Sequence, residues 1–119
     1  MSNIVWATLA QLKESDIEMK NVHIWIWPSI CKNCFEFGKD WSDPYNLGFP
    51  KEYIEYHTLQ NIWNIDTRKM LMDQLLDNGI NMDQILFDNR CTVEENQLVS
   101  RRRDGIPWKN NYAWVKISE

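Results

Sequence analysis

Val22-His23-Ile24-Trp25-Ile26-Trp27-Pro28 is the stretch on which the reading of the fold turns. β-Branched and aromatic residues dominate it, and Val22, Ile24 and Ile26 alternate with His23, Trp25 and Trp27 as the side chains of a strand alternate between faces. Both faces are apolar, which predicts a central strand covered on both sides. Pro28 has no N–H for a ladder and ends it.

Before this strand, Ser2 can cap a helix over residues 3–13 in which Val5, Leu9 and Leu12 recur at helical spacing and Lys13 meets the negative end of the dipole. After it, Lys32-Asn33 can turn a hairpin and return Phe35 and Phe37 as a second strand, with one helical turn as the alternative. Gly38, Asp43-Pro44, Asn46, Gly48 and Pro50 then break the chain into a long loop around Trp41, Tyr45 and Phe49.

Pro50 suits the first turn of a helix running to about Ile65. Asp66 caps the next, whose Met70, Leu71, Leu75 and Leu76 lead to an Asn78-Gly79 stop. Asn81 and Gln84 have the spacing of a capping box, flanked by Ile80 and Ile85 at the staple positions, and predict a third helix. From Cys91 the pattern becomes strand-like again, over 97–102 and 112–117. The sequence therefore predicts a single α+β domain, with a small antiparallel sheet of three to five strands packed with three to four helices.

Composition bounds the rest. A chain of 119 residues that is 44% hydrophobic can fill one core, and no linker or low-complexity tract divides it. The first ten residues lack the basic start of a signal peptide, and no apolar run reaches the roughly 20 residues of a membrane span. Three cysteines suit a reducing compartment, so the expected location is cytoplasmic.

Charge is uneven. Residues 1–95 carry eight Lys and Arg against fifteen Asp and Glu, whereas residues 96–119 carry five against two. An acidic body does not favour binding to phosphate backbones, which takes clustered cations; it suits a basic protein partner. Of the seven tryptophans, Trp6, Trp25, Trp27 and Trp63 are read as core and Trp114 is ambiguous. Trp41 and Trp108 fall in loops and are left to face a partner.

Chemistry-bearing motifs are few. Cys31-Lys32-Asn33-Cys34 has the spacing of half a tetrahedral zinc site, with Cys91, His57 and His23 as candidates to complete it. No second such pair exists, so free, partly buried thiols are the preferred reading and no cofactor or metal is expected. Phosphate cradles and a nucleophile elbow are absent, and no enzymatic role is expected. Arg101-Arg102-Arg103 with Trp108 could contact RNA, but a charged edge strand explains the run as well.

Between Glu36 and Tyr56, five acids and six aromatics alternate. Aromatic anchors with a carboxylate rim suit a basic surface. The sequence reading is accordingly a small cytoplasmic inhibitor, an immunity protein or antitoxin covering the active-site cleft of a basic, nuclease-type toxin. Asp40, Asp43, Glu52 and Glu55 would pair with its cations, and Trp41 and Tyr45 would fill its pockets. A small zinc- or RNA-binding module built on Cys31, Cys34 and Arg101 to Arg103, and a phage-type inhibitor of a nucleic-acid enzyme, are the alternatives.

Overall fold

The computed structural model describes residues 4–38, 48–105 and 109–112. Within them the fold is α+β, with three α-helices and five short strands in two sheets. No helix among the described residues is long and apolar enough to cross a membrane.

The first sheet is a parallel pair. Strand β1 (Ile24–Ile26) lies beside strand β5 (Ile85–Phe87), with Ile24 opposite Ile85 and Ile26 opposite Phe87. Helix α1 (Ile4–Glu14) and helix α2 (Thr67–Asp77) supply Val5, Leu9 and Leu75 to a core that also takes Val22, Ile26 and Ile80. Cover comes on one face only. Trp25 and Leu86 point outward, 52% and 62% exposed, so β1 is not the doubly covered central strand its sequence predicts. Trp25 instead stacks on Trp27, the residue just after the strand, with ring centroids 4.7 Å apart.

The second sheet is antiparallel, in the order β2 (Glu36–Phe37), β4 (Ile62–Ile65), β3 (Ile54–His57). The hairpin expected at Lys32-Asn33 does not form. A 3₁₀ turn over Lys32–Cys34, the alternative considered, occurs there and sends β2 to pair with β4. The helix expected from Pro50 to Ile65 is likewise replaced, by a 3₁₀ turn over Lys51–Tyr53 and then the β3–β4 hairpin. Its β-branched and aromatic residues prefer a pleated surface, and Asn61 takes the left-handed φ of 54° that turns the hairpin. Leu59, at its tip, is fully exposed.

Helix α2 is as predicted, with the Asp66 carboxylate accepting from Lys69 N–H and Gly79 at φ 89° after its end. The Asn81/Gln84 box also forms, but it caps one 3₁₀ turn that runs straight into β5. Ile85 and Phe87 are better satisfied in a ladder than on a helix. Residues 97–102 are not a strand either; they lead into α3 (Arg101–Asp104), a single turn capped by Ser100 Oγ. The strand predicted over 112–117 lies almost wholly outside the described residues. Trp6 is 60% exposed rather than core, and Trp27 and Trp63 are half-buried.

Gln84 ties the halves of the first layer together. Buried, it accepts from Asn81 N–H and donates from Nε2 to the carbonyls of Met19 and Val22, each at 2.7 Å. Gln84→Ala strands those acceptors and is expected to cost about 2–3 kcal/mol in urea unfolding.

Tyr53 does the same for the second layer, donating from its hydroxyl to Asp73 on α2 at 3.0 Å. Burial first, then that bond and the neighbouring carboxylates, push its pKa up from 10.0 to about 12. A phenol raised in the folded state contributes stability that is intact below pH 10 and is lost as pH climbs towards 12. Stability measured across that window should fall for the wild type, and the fall should be smaller for Tyr53→Phe.

Candidate metal centre

Past its last ladder pair, the parallel sheet continues as an isolated bridge between Ser29 and Cys91. Three residues, Asp88 to Arg90, lie opposite the two residues Trp27 and Pro28. The result is a bulge, which suits a proline that cannot donate. The two chains therefore stay side by side long enough to bring Cys91 against Cys31.

The 3₁₀ turn over Lys32–Cys34 then curls Cys34 back beside Cys31, with Cys34 N–H donating to the Cys31 carbonyl at 3.1 Å. On the other chain a turn closed by Glu95 N–H to Cys91 O, 2.9 Å, folds Glu94 over the group. One donor atom from each of Cys31, Cys34, Cys91 and Glu94 lies within 4.8 Å of every other. Glu94 Oε1 is 3.7 Å from Cys31 Sγ and 3.6 Å from Cys34 Sγ.

Three side chains hold the segments in place. Arg68, from the first turn of α2, donates to the Ser29 hydroxyl and to the carbonyls of Ser29, Asn89 and Arg90, spanning both strands of the bulge. Asn64, buried on β4, donates to the carbonyls of Lys32 and Asn33 between the paired cysteines. Arg103 reaches from α3 to the carbonyls of Thr92, Val93, Glu95 and Leu98, fixing the loop that carries Glu94.

The thiols are electrostatically unequal. Burial opposes ionisation of Cys91, but N–H groups of Cys31, Glu94 and Val93 aimed at its sulfur outweigh it and bring its pKa down to about 7. The Cys31 N–H stands 3.3 Å from that sulfur. Cys34, desolvated and beside two other thiols, is pushed up to about 12.

Of the candidates to complete the Cys31/Cys34 pair, Cys91 joins it. His57 sits on β3 and His23 is exposed ahead of β1, and neither belongs to the group. Glu94 is the donor that the sequence reading missed. Its signal was present, because Cys91-Thr92-Val93-Glu94 repeats the two-residue gap of Cys31 to Cys34.

Of the six residues assigned to a partner surface, Asp40, Trp41, Asp43 and Tyr45 lie outside the described residues. Glu52 is exposed on the turn before β3, and Glu55 is paired with Lys32, which holds its carboxyl below the usual range. Arg101 to Arg103 are not an edge strand. Arg103 is engaged by carbonyls, and the Arg102 guanidinium lies 5.5 Å from the Phe35 ring centre and 5.8 Å from that of Phe37.

Beside the thiol group opens a cleft of about 830 Å³ whose lining includes Ile30, Phe35, Thr92, Arg101 and Arg102. Ile30, Phe35 and Thr92 are the chain neighbours of Cys31, Cys34 and Cys91. Replacing Arg103 by Lys removes the planar fork that satisfies its carbonyls. It should destabilise the fold by roughly 2 kcal/mol and speed amide exchange across 92–98 in hydrogen-exchange measurements.

No curated protein matches the chain. Residues 1–110 match the family described as multi-copper polyphenol oxidoreductase laccase. This match overturns the immunity-protein or antitoxin reading, its two alternatives as the role of the chain, and the expectation that no enzyme is present. Composition misled here, since an acidic, aromatic-rich chain without a catalytic motif suits an inhibitor and an enzyme equally well. The chain belongs to the multi-copper polyphenol oxidoreductase laccase family, a family of enzymes.

Proposed function

We propose that the chain is an enzyme that acts on phenolic anions, held in the cleft beside the thiol group. The observation that supports this most directly is the lining of the cleft: an aromatic side chain, Phe35, and two guanidinium groups, with no acid among the described lining residues. In a chain of net charge −4, guanidinium groups gathered at one cleft attract an anion. The family description supplies the phenolic half of the reading.

Arg102 is already anchored by a hydrogen bond to Glu36 O and by the rings beneath it, so it is a pre-positioned charge. Arg101 precedes it on α3 and is exposed. A carboxylate on an aromatic ring could engage Arg101 while the ring lies along Ile30 and Phe35. Three adjacent reduced thiols suit a reducing compartment, and the cytoplasm is the corresponding site of action.

The donor set does not fit the copper chemistry that the family description implies. Sites that carry copper through redox cycles rely on imidazole ligands. The two histidines of the chain stand apart from the thiol group and belong to different parts of the fold. Three sulfurs and one carboxylate within a single 4.8 Å group fit one ion and not several.

Titration of the reduced protein with 4-hydroxybenzoate and with phenol, followed by calorimetry, tests the reading. The carboxylated compound should bind at least tenfold more tightly, and Arg101→Gln should remove most of that difference. Equal affinity for the two compounds, or no binding of either, rules the reading out.

A further inference from the structure

We infer that Cys31, Cys34, Cys91 and Glu94 together hold one zinc ion, in a closed four-ligand site that builds the wall of the cleft. The inference does not rest on the substrate reading above. It rests on the convergence of four donors from two chain segments 60 residues apart.

Size is the first argument. In a tetrahedral site with zinc–sulfur bonds of about 2.3 Å, neighbouring sulfurs stand about 3.8 Å apart. Donors already within 4.8 Å of one another need less than about 1 Å of closure to reach that geometry. Side-chain rotation supplies such movement without shifting the backbone.

Ligand chemistry is the second. Thiolates select soft or borderline ions, zinc, copper(I) and iron among them, and a carboxylate oxygen as fourth donor disfavours copper(I), while zinc takes both cysteine and carboxylate ligands in one tetrahedral site. Two half-sites, each with a two-residue gap, meet across the parallel bridge as the ligand pairs of structural zinc sites do. Each thiol releases its proton to solvent on binding, and no redox partner is involved.

Support around the donors is the third. Cys31 N–H points at Cys91 Sγ, and an N–H aimed at sulfur offsets part of the negative charge of a thiolate-rich site. Asn64, Arg68 and Arg103 fix the backbone beside all four ligands by bonds to carbonyls, leaving the donor atoms themselves unhindered. With four protein ligands the ion has no open position, so its role is to join the Ile30/Phe35 wall of the cleft to Thr92.

The test is metal analysis of the reduced 119-residue chain after incubation with zinc or copper and gel filtration. One zinc per chain is expected, with Cys34→Ser and Cys91→Ser losing it and a His23→Ala/His57→Ala double variant keeping it. Cobalt(II) should give intense thiolate-to-metal absorption and tetrahedral visible bands. Glu94→Gln should retain those bands with at least tenfold weaker affinity. Should the cysteine variants fail to fold, the cobalt spectrum of the wild type decides, because its intensity counts thiolate ligands. A chelator should lower the Tm of the wild type, and added zinc should restore it. Less than half an equivalent of zinc, two or more coppers per chain, zinc retained by folded Cys91→Ser, or a cobalt spectrum without thiolate bands would each overturn the inference.

Discussion

The Arg68 guanidinium is the constraint on which this arrangement depends. Two strands must run parallel, yet their ladder is only three pairs long and is interrupted at once by Pro28. The bulge takes the carbonyls of Asn89 and Arg90 out of the ladder. Arg68 collects both of them, and also the Ser29 carbonyl that Thr92 N–H reaches, with one planar group lying 5.5 Å from the centre of the Phe87 ring. Because it projects from the first turn of α2, it couples the helical layer to the segments that carry Cys31 and Cys91. A lysine, with one ammonium and no fork, could not bridge both strands in this way.

Legibility in the sequence followed the range of the signal. Asp66, Asn78 and Gly79 act within a few residues of themselves, and α2 lies where they place it. The Asn81/Gln84 box is also legible as a local bond, but a cap does not set the length of the element it opens. Ile85 and Phe87 went to a ladder whose partner lies 61 residues earlier, which periodicity cannot see. The stretch from Pro50 to Ile65 shows the same limit, since its apolar residues fit a helical face nearly as well as two strands and only pairing decides between them.

The site was half legible for a related reason. Cys31 and Cys34 advertise themselves by spacing, while Cys91 is one cysteine among remaining possibilities and Glu94 one acid among seventeen. What selects those two is the parallel bridge at Ser29, a fact of topology. The same holds for Arg103. A run of three arginines looks uniform in sequence, yet one satisfies carbonyls and two line the cleft, one of these also covering rings.

The distance along the chain between the two half-sites has a consequence during synthesis. Cys31 and Cys34 leave the ribosome some 60 residues before Cys91 and Glu94. At ordinary elongation rates that interval lasts about 3–12 s. Throughout it the nascent chain displays a bare dithiol, open to oxidation. Keeping those sulfurs reduced until the second segment arrives is therefore a demand the fold places on its surroundings.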